Sequence, residues 1–335
     1  MGYDIVVAES FLSFNTAVLV ALVAFGIAVV LGPIVIPILR RLKLGQNVRQ
    51  DGPKSHLEKA GTPSMGGIVI VIAVAVASGI FSGFEPEWLL VMFLMLSYGA
   101  IGFLDDYIKV VKKRSLGLRA WQKFSMQIIA AIVFVWLLNY YEVPTLMFVP
   151  FSDGFYLDLA WATPFLLVFI VVGTANGANF TDGLDGLASG VTLLVCLFFL
   201  YAAFLADSVL GYSLAAAAGG LLGFLLFNSY PARVFMGDTG SLALGGFVAA
   251  TAIVLQMPFL IAIVAFVYVA EVLSVILQVS YFKISGGKRI FKMSPLHHHF
   301  EHLNPPWRES KIVAVFYIFT AIFCLIGILA IGGVA

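Results

Sequence analysis

The chain has little charge and little cysteine for its length. Only 11% of its 335 residues are Asp, Glu, Lys or Arg, against about 25% in soluble domains. Since 61% of the residues are hydrophobic and the mean hydropathy is +1.03, a water-soluble fold would expose too much apolar surface. Both cysteines, Cys196 and Cys324, lie inside apolar runs, so no disulfide framework is expected. The composition predicts an all-α membrane protein.

The N-terminal segment lacks basic residues. It contains Asp4 and Glu9 but no Lys or Arg before Arg40, which is the wrong charge for a signal peptide. We therefore expect the first apolar run to be a permanent span. The net charge of +1 gives no overall field that would favour nucleic acid.

Ten apolar runs approach the length of about 20 residues that a membrane-spanning helix needs. They are 14–38, 66–83, 88–104, 124–141, 159–175, 187–206, 209–228, 241–256, 258–282 and 312–333. We predict one integral membrane domain over 1–335. Alternating residues between Glu142 and Asp158 predict a small external β-hairpin. A short helix is predicted from Pro305 to Lys311.

Basic residues are absent from half of the predicted loops. All nineteen Lys and Arg residues fall in the loops between spans 1 and 2, 3 and 4, 7 and 8, and 9 and 10. Loops 2–3, 4–5, 6–7 and 8–9 contain none. The positive-inside rule therefore predicts that the basic loops are cytoplasmic and that both termini lie outside.

Two adjacent carboxylates, Asp105 and Asp106, close the third predicted span. They suit a divalent cation, a proton-accepting role or both, and Lys109 lies one helical turn beyond Asp105, where the two can pair. A solvated helix end with a routine ion pair is the alternative. Because further acids occur in loops on the same side, we favour a functional site.

Polar residues recur at three-residue steps in the loop between spans 5 and 6: Asn176, Asn179, Asp182 and Asp185. Such a step cannot keep all four on one face of an unbroken helix. The interleaved glycines predict a broken helix end that approaches a ligand closely. An ordinary polar turn remains an alternative, whereas the spacing does not match an EF-hand calcium loop.

The loop between spans 7 and 8 runs from Asn228 through Phe235 and Gly237 to Asp238. The helix that follows offers free N–H groups for phosphate. Asp238 suits a divalent cation, and it could equally cap that helix with Ser241 at the third position.

Three consecutive histidines, His297, His298 and His299, lie in the loop between spans 9 and 10. Their side chains cannot all point one way, and zinc ligands are normally spaced further apart. They can donate to or balance a phosphate group, or form a structural cluster. Glu271 lies inside the ninth run, where an acid suggests function, a packing contact or a hinge.

These motifs, with Gly61 to Gly67 and Ser294 to Glu301, resemble the phospho-N-acetylmuramoyl-pentapeptide transferases (MraY-type) of the polyprenyl-phosphate N-acetylhexosamine-1-phosphate transferase superfamily. The resemblance extends over nearly the whole chain, and the histidine segment points to this branch. It implies transfer of phospho-MurNAc-pentapeptide from UDP to undecaprenyl phosphate, with Mg²⁺, giving lipid I and UMP in the bacterial inner membrane. It also implies a homodimer and a lipid groove near a bent ninth helix. A relative that uses UDP-GlcNAc is the alternative within the superfamily.

The resemblance assigns roles by motif. The implied catalytic residues are Asp105, Asp106, Asp238 and His297, and Asp238 is the implied metal ligand. The implied substrate-binding residues are Asn176, Asn179, Asp182, Asp185, Asn228, Phe235, Gly237, Lys109, Lys113, Lys123, His298 and His299.

Two mechanisms and one other class of protein remain open from sequence. The lipid phosphate, deprotonated by Asp105, could attack the sugar-linked phosphorus directly, or an aspartate could first form a covalent intermediate. A transporter is disfavoured because ionisable groups, apart from Glu271, cluster in loops rather than within spans.

Overall fold

The computed structural model describes residues 12–42, 61–111 and 117–332. Within these ranges the protein is a helical bundle with one small hairpin. Its helices are α1 (Phe14–Arg41), α2 (Gly67–Phe81), α3 (Pro86–Val111), α4 (Ala120–Tyr140), α5 (Thr163–Thr181), α6 (Leu187–Leu205), α7 (Leu210–Asn228), α8 (Gly237–Val254), α9 (Ile261–Val264), α10 (Phe266–Ile284), α11 (Leu296–Glu301) and α12 (Glu309–Ile331). Strands β1 (Met147–Phe148) and β2 (Tyr156–Leu157) pair antiparallel, and short 3₁₀ turns occupy Ala160–Ala162 and Pro258–Leu260.

Nine helices in the described part of the chain are long and apolar enough to cross a membrane. Helix α2 is also apolar but has only 15 residues, fewer than the roughly 20 of a full span. The run predicted as a single span over 258–282 is divided. Pro258 has no N–H with which to continue α8, and non-helical backbone at Ala265 separates α9 from α10. The prediction of an all-α polytopic membrane protein is confirmed.

Helix α8 forms the centre of the bundle. In the most apolar 18-residue stretch of α8, 94% of the residues are buried. The corresponding fraction is 28% in each of α1, α10 and α12. Small residues allow neighbouring membrane helices to approach it closely. For example, a Cβ added to Gly67 of α2 would lie 2.1 Å from the Cα of Gly240. The first turn of α8 is therefore held tightly by its neighbours.

The β-hairpin predicted between Glu142 and Asp158 is present. Phe148 pairs with Tyr156, and the Phe148 N–H donates to the Gln256 carbonyl at 2.7 Å. Gln256 lies just beyond the C-terminal end of α8, so the hairpin covers the end of the bundle opposite the start of that helix.

The short helix predicted from Pro305 to Lys311 is wrong. Helix α12 begins only at Glu309, and the separate short helix is α11, immediately after Pro295. Two consecutive prolines provide no backbone donors, and each restricts the residue before it to extended conformations. Each proline therefore disfavours helix at the residue before it, and α12 starts beyond the pair, at Glu309.

Candidate active site

Polar side chains from several helices meet at the end of the bundle where α8 begins. Asp105 and Asp106 lie near the C-terminal end of α3, and Lys123 lies in the first turn of α4. Asn179 lies in the last turn of α5, and Asp238 in the first turn of α8. Their contacts define one acidic cleft.

Asp238 is the centre of this cleft. Its Oδ2 accepts hydrogen bonds from Lys109 Nζ at 2.7 Å and from Lys123 Nζ at 2.9 Å. Its Oδ1 accepts one from Asn179 Nδ2 at 2.7 Å, and the same amide nitrogen lies 2.8 Å from Ser241 Oγ. Met236 occupies the N-cap position of α8, and its side chain makes no capping hydrogen bond. The helix-cap alternative for Asp238 is therefore wrong.

Asp105 shares the two lysines with Asp238. Its Oδ2 lies 2.8 Å from Lys109 Nζ and 3.6 Å from Lys123 Nζ, while its Oδ1 accepts the Leu118 N–H at 2.6 Å. The predicted pair of Asp105 and Lys109 is thus present. Because Lys109 bridges both carboxylates, Asp105 and Asp238 lie close enough to act on one bound diphosphate.

Asp106 fixes the start of α8 from the neighbouring helix. Its Oδ2 accepts hydrogen bonds from the Thr239 N–H at 2.9 Å and from the Thr239 hydroxyl at 2.8 Å. Gly237 has a φ of +74°, and a Cβ there would lie 2.7 Å from Asp106 Oδ2, so a glycine is required. The Thr239 N–H, which we expected to be available for phosphate, is already used by Asp106.

The polar segment from Asn176 to Asp185 divides into a helical part and a turn. Helix α5 continues without a break through Asn176 and Asn179 and ends at Thr181. The broken helix end that the glycines predict therefore begins only at Asp182. Asn179 reaches Asp238, whereas Asn176 Nδ2 donates to Gln127 Oε1 at 2.7 Å, a contact between α5 and α4.

Asp182 and Asp185 have different surroundings. Desolvation in the cleft raises the pKa of Asp182 well above its ordinary value, and the charges of Asp238 and Asp106 raise this pKa further, whereas a hydrogen bond from the Gly237 N–H opposes the shift. The cleft therefore holds an excess of negative charge that a bound cation would relieve. Asp185 Oδ2 instead accepts the Ala232 N–H at 2.9 Å, which fixes the loop between α7 and α8.

Asn228 is the last residue of α7, and Phe235 lies on the loop that follows it. Asn228 is buried: its Oδ1 accepts the Ser189 hydroxyl at 2.7 Å, and its Nδ2 donates to the Val234 carbonyl at 3.0 Å. Phe235 is held through its backbone, which pairs with Pro63 and Gly66, while its side chain remains partly exposed. Asn228 therefore holds the loop through Val234, and the Phe235 backbone joins the loop to the segment before α2.

The three histidines point toward different partners, as expected. His297 is buried, and its Nδ1 lies 3.1 Å from Glu271 Oε1. His298 Nδ1 lies 2.6 Å from Glu301 Oε2. His299 Nδ1 accepts the Lys292 N–H at 3.1 Å. Lys113, the remaining predicted site residue, lies outside the described residues.

Sequence reasoning missed two residues that support the site. Gln127 is buried and holds Asn176, and Glu309 accepts the Asp185 N–H through Oε1 at 2.7 Å. Gln127 left a signal, because it lies one helical turn after Lys123 in an otherwise apolar run, on the same helix face. Glu309 left none, since it occurs among ordinary polar residues at the start of α12.

The cleft has the donor chemistry that a magnesium ion prefers. Within the described ranges, no group of three His, Cys, Asp or Glu side chains forms a ready-made metal cage. Magnesium is usually bound by one or two carboxylates, several waters and substrate phosphates rather than by a protein cage. Asp238, flanked by the carboxylates of Asp105 and Asp106, fits that type of site.

Comparison with known proteins gives the class first. Residues 88–256 match the family model "Glycosyl transferase family 4". Together, the membrane bundle and the acidic cleft, where α3 and α5 end and α8 begins, define a polytopic membrane phospho-sugar transferase of that class.

A narrower match identifies the branch. Residues 59–71 match "Phospho-N-acetylmuramoyl-pentapeptide-transferase signature 1". Among the relatives named "Phospho-N-acetylmuramoyl-pentapeptide-transferase", three illustrate the similarity. The relative from Caldanaerobacter subterraneus subsp. tengcongensis is 51% identical over 90% of this chain and 94% of its own. Those from Bacillus subtilis and Acetivibrio thermocellus are 48% and 45% identical over 92% and 96% of this chain, and over 95% and 97% of their own. The chain belongs to the phospho-N-acetylmuramoyl-pentapeptide-transferase family.

Proposed function

We propose that the chain transfers phospho-N-acetylmuramoyl-pentapeptide from its UDP carrier to undecaprenyl phosphate, forming lipid I and releasing UMP in peptidoglycan biosynthesis. The observation that carries the proposal is the bridge from Lys109 and Lys123 to the carboxylates of Asp105 and Asp238. Acids and ammonium groups on separate helices converge there, at one end of a membrane bundle, where a lipid phosphate and a soluble nucleotide can meet.

The nucleotide-sugar binds along the turn after α5 and the loop before α8. Phe235 contacts the uracil ring, since aromatic side chains stack on bases, and Asn179 and Asp182 provide hydrogen-bonding groups at the cleft. His298 and His299 lie on α11 and extend the polar wall on the far side. The diphosphate and the lipid phosphate are both anionic and repel each other. Lys109 and Lys123 offset the charge of the diphosphate and so reduce this repulsion.

The transfer proceeds by a single displacement. Asp105 accepts any proton that the lipid phosphate carries, and an oxygen of that phosphate then forms a bond to the sugar-linked phosphorus. The bond between this phosphorus and the bridging oxygen breaks, and its electron pair leaves with UMP. Asp106 keeps the first turn of α8 in place through Thr239, which holds Asp238 opposite Asp105 during the step.

We propose that Asp238 would hold a divalent cation, Mg²⁺. When bound, that ion supplies charge neutralisation for the diphosphate and for the leaving UMP. We also propose that the cleft faces the cytoplasm of the bacterial inner membrane with both termini outside, as the distribution of Lys and Arg favours. The resemblance to the family further supports a homodimer.

Release of UMP tests this function. Detergent-purified protein is incubated with UDP-MurNAc-pentapeptide, undecaprenyl phosphate and Mg²⁺, and UMP and lipid-linked sugar are measured. We expect both products in equal amounts, and neither when the lipid or the metal is left out. Failure to form them with both substrates and Mg²⁺ present would contradict the function. Exchange of labelled UMP into the nucleotide-sugar without lipid would contradict the single displacement and favour a covalent intermediate.

A further inference from the structure

Glu271 is a buried acid in the middle of a membrane helix. It lies in α10 with its side chain 0% exposed. Among the described ion pairs its partner is His297, and no Lys or Arg is paired with it there. A carboxylate inside a membrane span is expensive, so its contacts must offset that cost.

Those contacts are made with the start of α11. Glu271 Oε2 accepts the Leu296 N–H at 2.5 Å, and Oε1 accepts the His297 N–H at 3.2 Å. Leu296 and His297 are the first two residues of α11, and N–H groups in a first helical turn have no partner within the helix. Glu271 therefore caps α11 from a different helix. It lies 25 and 26 positions before the two residues whose N–H groups it accepts.

The same carboxylate fixes the ring of His297. Oε1 lies 3.1 Å from His297 Nδ1. An ionised carboxylate only accepts hydrogen bonds, so opposite the Glu271 carboxylate Nδ1 is the donor. Of the two neutral tautomers of the imidazole, this contact selects the one protonated at Nδ1, in which Nε2 keeps its lone pair.

The other ring nitrogen has no hydrogen-bond partner among the residues that the structure describes. His297 Nε2 is buried there without a hydrogen bond, although an unsatisfied buried acceptor costs free energy. The ring lies against Gly183, where an added Cβ would be 2.1 Å from Nε2. Gly183 directly follows Asp182 at the edge of the cleft, so Nε2 is placed beside the polar turn that ends α5.

We propose that Glu271 is a positioning residue for His297. It holds the ring through Nδ1 and so keeps Nε2 as an acceptor for a proton-bearing oxygen of the substrate at the Asp182–Gly183 turn. This inference rests on the proposed function for the identity of that substrate. If Glu271 only caps α11, replacing it will lower activity by the same factor whether or not His297 is present. If it positions His297, replacing it will have little effect once His297 is gone.

The tautomer of His297 is the first readout. Protein labelled with ¹⁵N-histidine is compared by NMR with E271Q, and the His297 signals are assigned by their loss in H297N. Gln has the size of Glu but places an NH₂ donor where one accepting oxygen stood, so it favours the opposite tautomer. We expect a protonated Nδ1 in the wild type and a protonated Nε2 in E271Q. A protonated Nε2 in the wild type, or identical spectra, would overturn the proposal.

A double-mutant cycle is the second readout. We expect E271Q to lower kcat by roughly 10- to 100-fold, as outer-shell partners of functional histidines do, with little change in KM. In the H297N background E271Q should add little further loss. The matched control is Gln278, which also lies on α10 and accepts the backbone N–H groups of Ile290 and Phe291 at 3.1 and 2.9 Å.

The loss caused by Q278A should multiply with that of H297N, because the side-chain hydrogen bonds described for Gln278 go to Ile290 and Phe291 and to no histidine. If the losses caused by E271Q and H297N multiply, the positioning role is overturned.

Should E271Q fail to fold, G183A tests the same idea by crowding Nε2 while leaving Glu271 in place. We expect G183A to lower kcat and to retain the protonated Nδ1, and wild-type kinetics would count against the proposal. Absence of UMP release from the wild type would contradict the proposed function, while the NMR comparison would still decide the role of Glu271.

Discussion

Replacing Asp238 with Asn is expected to lower kcat/KM for UMP release by roughly a thousandfold or more, a loss at or beyond the upper end for removal of one transition-state-stabilising group. Asn keeps the shape and can still pair with Asn179, but it loses the charge that binds a divalent cation and that holds Lys109 and Lys123. The measurement is steady-state release of UMP by D238N at saturating Mg²⁺.

The control for this variant is D153N. Asp153 is exposed in the turn between β1 and β2 and has a positive φ of 48°, which Asn also tolerates. It removes one carboxylate at the opposite end of the bundle, so D153N should retain wild-type kinetics. Activity of D238N within a few-fold of the wild type, with both variants folded, would contradict the central role of Asp238.

Replacing Gly102 with Ala is expected to lower activity through geometry alone. Gly102 lies on α3 where it crosses the first turn of α8, and an added Cβ would lie 2.1 Å from the Asp238 carbonyl oxygen. Because backbone atoms cannot rotate away, the two helices must separate, at a cost of about 1–3 kcal/mol. A displacement of about 1 Å between reacting groups can lower a rate by about a hundredfold, and we expect a loss of that order.

The control for G102A is G173A on α5, where a Cβ would have no neighbour within 4 Å. Alanine is the better helix former, so G173A should unfold at the same temperature as the wild type or slightly higher. Kinetics and unfolding temperatures are measured for both variants. A G102A protein that matches the wild type in both would show that α3 does not pack against Asp238 this closely.

The sequence predicted the spans, and it grouped the polar motifs at one end of the bundle, because both depend on local composition. Apolar runs of span length must form helices in lipid, and helices that alternate in direction bring the end of α3 and the start of α8 to the same face. The β-hairpin followed from local alternation in the same way. These predictions needed no knowledge of which helices touch.

The partners within the cleft depended on packing that the sequence does not display. Asp106 and Thr239 are 133 residues apart, and they meet because Gly102 and Gly237 leave no side chain between the two helices. Asp185 resembled Asp182 by spacing, yet the turn after α5 directs it to Ala232 instead. The role of Glu271 likewise became visible only when α11 was placed against α10.

Binding of Mn²⁺, measured by electron paramagnetic resonance in the presence of UMP, tests the central claim most directly. The claim is that carboxylates from α3 and α8 form one divalent-cation site at the end of the bundle that holds the histidine helix. Mn²⁺ has similar ligand preferences to Mg²⁺, and its free and bound forms give different signals. We predict a saturable site in the wild type that is greatly weakened in D238N and in D105N, and unchanged in D153N. A D238N titration that superimposes on the wild-type curve would contradict the account.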